Sequence, residues 1–304
     1  MKKLLVLALV LAFVASVQAE SIWIADWAGV VRNYSTTGTL NTSFQGAQTQ
    51  MTGMALSQDP YSGHAGNLLI GNWSNTEKVE EYTQTGTYLG ISPEFTATSY
   101  YGSDVAVDPL GRVWSVGANA PSQVISYKNY TTGGTYSPMS GYYLLGVAFD
   151  SSVNAYVSNL SGTIYKMEYV GGAGDGYNDP TVFAQITGGS SWGIKVHNNQ
   201  VFVSDATSDS IKIFDMAGVL QGSLAIGGNY DPRGMDFDSA GNLYVATNRT
   251  QQGIMKFSWN GSSFGTGTFI VTGLNQPTDL VIVPEPATLI LLGLGALSLI
   301  RRKK

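Results

Sequence analysis

Pro232-Arg-Gly-Met-Asp-Phe-Asp-Ser-Ala-Gly-Asn-Leu-Tyr-Val-Ala-Thr247 decides the fold. It reads as a strand, a tight turn and a second strand. Met235 and Phe237 alternate with acidic residues, Asp238-Ser-Ala-Gly241 supplies turn chemistry, and Leu243 to Ala246 resumes an apolar run.

The same pattern recurs along the chain. The first strand returns as Thr52–Leu56, Ser103–Asp108, Leu145–Asp150, Trp192–Val196 and Thr278–Ile282. The second returns as Leu68–Gly71, Val113–Val116, Ala155–Ser158, Val201–Ser204 and, out of order, Ile22–Ala25. A third strand follows in each unit: Val79–Tyr82, Val124–Tyr127, Ile164–Met167, Ile211–Phe214, Ile254–Phe257 and, at the N-terminal end, Val30–Tyr34. Measured from Gly53, Asp104, Gly146, Gly193, Gly234 and Asp279, the period is 41 to 51 residues. Short strands at that period predict β-propeller blades. The body opens on a second strand and ends on a first strand. Joining the two completes a sixth blade and protects edges that would otherwise stand open. The expected architecture is therefore an all-β, six-bladed propeller over residues 20–283. Two stretches after third strands, Lys128–Met139 and Tyr169–Pro180, interrupt the beat and read as surface insertions.

Composition agrees with an exported, turn-rich β protein. Charged residues make up only 12%, against 37 Gly and 17 Tyr. The net charge of −5 comes with no basic stripe, which argues against a nucleic-acid partner. There is no cysteine, so disulfides, thiolate metal sites and cysteine nucleophiles are excluded.

Both ends read as targeting segments. Lys2 and Lys3 precede an apolar run from Leu4 to Val14, and Val17 and Ala19 are small residues at the −3 and −1 positions of a cleavage site. Residues 1–19 are expected to be a secretory signal peptide, removed after Ala19 by signal peptidase. At the other end, Pro284-Glu285-Pro286 breaks the last strand. Ala287 to Ile300 is uncharged, and Arg301, Arg302, Lys303 and Lys304 follow. The apolar run would span about 21 Å as a helix, short of the ~30 Å hydrocarbon core but able to dwell in a thinned bilayer. The terminal cations favour the cytoplasmic side.

This order of Pro-Glu-Pro, apolar run and basic cluster over residues 284–304 resembles the PEP-CTERM sorting signal of Gram-negative bacteria. The resemblance implies handling by an exosortase, with an inner-membrane intermediate, and delivery to the cell surface or an exopolysaccharide matrix. The repeat itself, carried best by Asp108-Pro-Leu-Gly-Arg-Val-Trp114 and Asp238-Ser-Ala-Gly-Asn-Leu-Tyr244, resembles NHL-type and SMP-30/gluconolactonase-like six-bladed propellers.

The gluconolactonase-like enzymes hold a divalent metal in the central channel through carboxylate and amide oxygens near strand ends. That resemblance points to Asp104, Arg233 and Asp279 at first-strand starts, and to Asp26, Asn72, Asn159, Asp205 and Asn248 past second strands. Asp and Asn at such places also serve turns through their own backbone hydrogen bonds, and turn chemistry is the leading expectation for them. Trp192 joins them as a candidate rim residue. The family's acidic ligand has no clear counterpart, because Gly53, Gly146, Gly193 and Gly234 fill four of six equivalent positions. No cofactor is expected on the leading reading. Asp175, Asn178 and Asp179 form a glycine-rich cluster that is a weak calcium candidate lacking EF-hand spacing. The two histidines, His64 and His197, are too few for a zinc enzyme. Gly189-Ser-Ser-Trp-Gly193 matches a nucleophile-elbow pattern, but leads into a strand rather than the helix that pattern requires. Asp108, Asp150 and Asp238 repeat at one place in the unit, which favours a structural role. Trp27, Trp73, Tyr100, Tyr101, Tyr142 and Tyr143 are aromatics able to stack on sugars, and seven Asn-x-Ser/Thr triplets begin at Asn33, Asn41, Asn72, Asn129, Asn159, Asn248 and Asn260.

The leading expectation is a non-enzymatic, monomeric propeller that binds a glycan, a surface polymer or a protein through loops at one rim. The alternatives are a metal-dependent hydrolase of the gluconolactonase-like class and a purely structural matrix component.

Overall fold

The computed structural model describes residues 20–58, 64–73, 79–91, 102–117, 124–128, 131–136, 143–171 and 176–284. The signal peptide and Ala19, residues 285–304, Tyr100, Tyr101, Asn129, Tyr142 and Asp175 lie outside them.

Three strands open the body: β1 (Glu20–Asp26), β2 (Val30–Ser35) and β3 (Leu40–Gln45). Consecutive sets of four follow. They are β4 (Met51–Leu56), β5 (Leu68–Asn72), β6 (Val79–Tyr82) and β7 (Tyr88–Ile91); then β8 (Gly102–Val107), β9 (Val113–Gly117), β10 (Val124–Lys128) and β11 (Thr131–Tyr136). Next come β12 (Leu144–Phe149), β13 (Ala155–Asn159), β14 (Thr163–Met167) and β15 (Thr181–Gln185), then β16 (Ser191–His197), β17 (Gln200–Asp205), β18 (Ser210–Asp215) and β19 (Leu220–Ala225). The last set is β20 (Pro232–Phe237), β21 (Leu243–Thr247), β22 (Gly253–Phe257) and β23 (Thr268–Thr272), and β24 (Pro277–Pro284) ends the described chain.

Each set is an antiparallel four-stranded sheet, and β24 joins β1, β2 and β3 to make another, giving six sheets among the described residues. The closing pair runs from Glu20 opposite Pro284 to Asp26 opposite Pro277. Neighbouring first strands touch in a ring, β4 to β8 to β12 to β16 to β20 to β24 and back to β4. The all-β propeller expected from the repeat is thus present. The stretch expected as an insertion from Lys128 is in part β11, the outer strand of its sheet, paired with β10. The second stretch folds back on itself through a Tyr169–Tyr177 bridge.

The apolar core lies between the sheets, in six clusters. Alternation along a strand sends successive side chains to opposite neighbours. Ile22 and Ile24 of β1 pack with Tyr244 and Ile254, whereas Trp23 and Ala25 of the same strand pack with Met54, Leu68 and Ile70. One strand therefore serves two interfaces, and no sheet buries its faces alone.

The recurring acidic turn explains the repeat. Asp238 Oδ1 accepts the amides of Ala240 and Asn242, and Oδ2 accepts Asn242 Nδ2 and the Tyr244 hydroxyl. Asp150 does the same with Ser152, Asn154 and Tyr156, and Asp108 with Leu110, Arg112 and the Trp114 indole. The carboxylate closes the turn and satisfies the polar tip of a buried ring on the second strand.

Glycine at the second position of the first strands is a close-approach requirement. A Cβ on Gly193 would stand 2.5 Å from Arg233 O, and one on Gly146 2.6 Å from Trp192 O. Gly222, on an outer strand, has nothing within 4 Å of that position. Gly193→Ala is expected to cost about 1–3 kcal/mol through overpacking and to lower Tm by several degrees. Gly222→Ala should leave the calorimetric midpoint near that of the parent.

Candidate functional site

The six first strands surround a channel of about 900 Å³. We call the end where they begin the upper rim. Each first strand carries a bulge there: its pairing with the second strand skips at Thr52, Ser103, Leu145, Trp192–Gly193, Arg233–Gly234 and Thr278. A bulge re-aims side chains and bends the strand. Here it lets Thr52 Oγ1 donate to Gly102 O and Ser103 Oγ to Leu144 O, each on the next sheet.

Besides the turn residue Asp108, four charged side chains line the channel wall below the rim. Asp104 and Asp279 occupy two of the positions that are glycine elsewhere, and both reach across to the next sheet. Asp104 Oδ2 accepts the Val147 amide at 2.9 Å, and Asp279 Oδ2 accepts the Met54 amide at 2.7 Å. Glycine on the preceding strand makes the room: a Cβ on Gly234 would fall on Asp279 Oδ1, and one on Gly53 would lie 2.6 Å from Asp104 Oδ1. Asp236, two positions further on, accepts the Ile282 amide at 2.8 Å. Lys195 Nζ lies 3.0 Å from Asp236 Oδ1.

Burial dominates the titration of this group. It pushes the Asp104 carboxyl up to about 7, against the pull of the Val147 and Val105 amides and of Lys195. Asp279 is also raised well above the carboxylate range, by burial and then by the nearby Asp104 charge. Burial opposes charge on Lys195, yet Asp236, Asp279 and Asp104 outweigh it and hold the ammonium above its ordinary value.

Aromatic rings border the upper mouth. Trp27 and Trp73 have centroids 6.4 Å apart, and Trp73 and Tyr143 a further 6.4 Å. Across the mouth, the Arg233 guanidinium lies 3.3 Å over the Trp192 ring. Arg233 also pairs with buried Asp231, which Arg249 approaches at 3.3 Å. Arg233 Nε and Asp231 Oδ1 are buried with no hydrogen-bond partner among the described residues. Asn248 Nδ2 donates to Pro277 O and fixes the start of the closing strand.

Of the residues expected from sequence, Asp104, Trp192, Arg233, Asn248 and Asp279 line the channel. Asp26, Asn159 and Asp205 are turn residues: their carboxylate or amide oxygens accept Val30, Ser161 and Thr163, and Ser190 and Thr207 amides respectively. Asn72 is buried at the end of β5. Asn178 and Asp179 sit in the outer loop before β15. Sequence reasoning missed Lys195 and Asp236. The signal was available, since the aligned position is Ala55, Ala106, Ala148 and Val281 in the other first strands.

The donor set does not fit the channel metal of gluconolactonase-like enzymes. Asp104, Asp236 and Asp279 each spend an oxygen on a neighbouring amide, Lys195 occupies Asp236, and no group of three or more His, Cys, Asp or Glu side chains among the described residues is arranged to hold an ion. The histidines stand apart: His64 bonds Glu81 at 2.6 Å, and His197 stacks on Phe237 at 4.0 Å. Ser191 of the Gly189–Gly193 match begins β16, a strand rather than a nucleophile elbow.

Fold and channel together define an all-β propeller. Residues 283–304 match the family described as the PEP-CTERM protein-sorting motif, so the chain carries a sorting signal for export and surface or extracellular delivery. Similar solved structures include a protein of unknown function from Bacteroides caccae, at 9% identity and TM-score 0.68, covering 88% of this chain and 100% of that one. A gluconolactonase from Xanthomonas campestris is similar at 17% identity and TM-score 0.57, covering 76% of this chain and 84% of that one. A chain of a nidogen/laminin complex is similar at 14% identity and TM-score 0.66, covering 86% and 98%. At these identities the likeness is one of fold. No curated protein matches the chain.

The raised carboxyls give a pH signature. Between the ordinary value of 3.8 and about 7 the folded chain holds a proton at Asp104 that the unfolded chain has released. That contribution to stability is complete below 3.8 and is lost as pH rises through about 7. Asp104→Asn should therefore gain in Tm relative to the parent as pH is raised from about 4, levelling off above about 7. Melting curves at a series of pH values read this difference directly.

Proposed function

We propose that this chain is an exported propeller that acts as a binding module and holds a glycan of the cell surface or matrix across its upper rim. The observation that carries the reading is the row of Trp27, Trp73 and Tyr143 beside the channel mouth, faced by Trp192 and Arg233. Rings at that spacing, tilted 49° and 31° to one another, suit successive sugar rings of a bent chain, while Arg233 and Asn248 supply polar contacts. Signal peptidase and an exosortase are the processing partners, and the chain passes through a stage at the inner membrane held by its C-terminal segment. A metal-dependent hydrolase finds no support in the donor set of the channel. In the nidogen/laminin complex a similar propeller belongs to a binding assembly, which is consistent with a recognition role.

Trp27→Ala and Trp73→Ala should each weaken binding of the purified body to exopolysaccharide from the native strain by about tenfold or more. Leu220→Ala, exposed on an outer strand, should bind as the parent does. Titration calorimetry that finds no binding by the parent, or equal binding by all variants, rejects the glycan reading. Sorting has a separate readout. Removing residues 285–304 leaves β24 whole and is expected to shift the protein from the surface fraction to the periplasm or medium; an unchanged distribution rejects the role of the tail.

A further inference from the structure

The sorting motif begins inside the fold. Val283 and Pro284 are the first two residues of the matched segment and also the last two of β24. Val283 is buried and pairs with Ser21, and Pro284 pairs with Glu20. No linker separates the propeller from its tail.

β24 is a first strand, so it ends beside the channel. Pro284 lines the lower mouth together with Gln58, Pro109 and Ser151. Glu20 is held at the same place, its Oε1 accepting the Ser239 amide at 2.9 Å in the lower turn of the adjacent sheet. Both ends of the body therefore leave at the lower mouth. The opposite end of the same strand pair carries the upper rim, where Trp27 N donates to Gln276 O at 3.0 Å. β1 has seven residues, which separates the two ends by about 20 Å.

Only Glu285 and Pro286 stand between Pro284 and the uncharged run that starts at Ala287. Whatever their conformation, the three steps from Pro284 to Ala287 reach at most about 11 Å. We propose that the membrane-held stage is oriented: the lower mouth of the channel rests against the lipid surface, and the aromatic rim faces away from it. This rests on the membrane stage proposed above. The short tether allows no tumbling, and the bilayer closes the lower mouth, so ligand reaches the channel from the upper rim alone. The processing enzyme meets its motif on the lower side, next to Glu20.

The chain contains no cysteine, so single labels are available without background. Ser151→Cys marks the lower face and Gln276→Cys the upper rim; both positions are exposed. Each variant, from Glu20 to Lys304, is labelled with a fluorophore and reconstituted in phosphatidylethanolamine/phosphatidylglycerol vesicles carrying a headgroup-attached quencher. The label at residue 151 is expected to lose more fluorescence than the label at 276, and a long Gly-Ser insertion after Pro284 should level the two. Equal or inverted quenching in the uninserted chain overturns the orientation while leaving the membrane stage intact. A difference that survives the insertion also overturns it, because the tether would not be its cause. Failure of the chain to partition into vesicles overturns the membrane stage and the orientation together.

Discussion

Closure of the ring through β1 and β24 is the contact on which the rest depends. Each sheet buries both faces against its neighbours, so a gap at one interface would expose two apolar surfaces at once. The strands that make the closure are 251 residues apart at Asp26 and Pro277 and farther apart at Glu20 and Pro284. Their pairing leaves no first strand without neighbours on both sides. It also carries three functional consequences. It builds the channel, places Trp27 beside Gln276 at the upper rim, and delivers the sorting motif to the lower mouth.

Inside the channel, packing and charge are solved by one device. The second position of each first strand faces the next first strand so closely that glycine or a side chain shaped to bond that strand is required. At Asp104 and Asp279 the carboxylate takes a backbone amide of the neighbouring sheet. Burial then makes both carboxyls reluctant to ionise, and Lys195 becomes the cation they share with Asp236. These groups tie sheets together and also give the channel a polar wall beneath an aromatic mouth. Since their oxygens already serve amides, the wall suits recognition of a polar ligand better than coordination of an ion.

The two ends of the molecule divide the proposed function between them. The tail concerns where the body goes, and the rim concerns what it meets there. An aromatic row remote from the tail and a tether of minimal length both agree with the proposed role of a displayed binding module. Neither is copied from sheet to sheet, whereas Asp108, Asp150 and Asp238 bond equivalent positions in three sheets, and a feature copied in this way is scaffold.

Strand content, turn positions, the circular permutation of the last sheet and the sorting tail were all determined by the sequence itself. They rest on local physics: alternation at period two, aspartate–glycine turns and an uncharged run flanked by cations. Part of the channel was legible as well, since Asp104, Arg233 and Asp279 depart from the repeat. Lys195 and Asp236 could have been found by the same test. Tertiary structure alone decided which oxygens face the channel, as Asp104 and Asp279 do by reaching amides of the next sheet. It alone revealed the bulge that starts every first strand, the alignment of Trp27, Trp73 and Tyr143, and the meeting of Glu20 with Pro284. Those outcomes depend on contacts between sheets whose residues lie 40 or more positions apart, as Ser103 and Leu144 do. No local pattern encodes such distances, because they are set only when the ring closes.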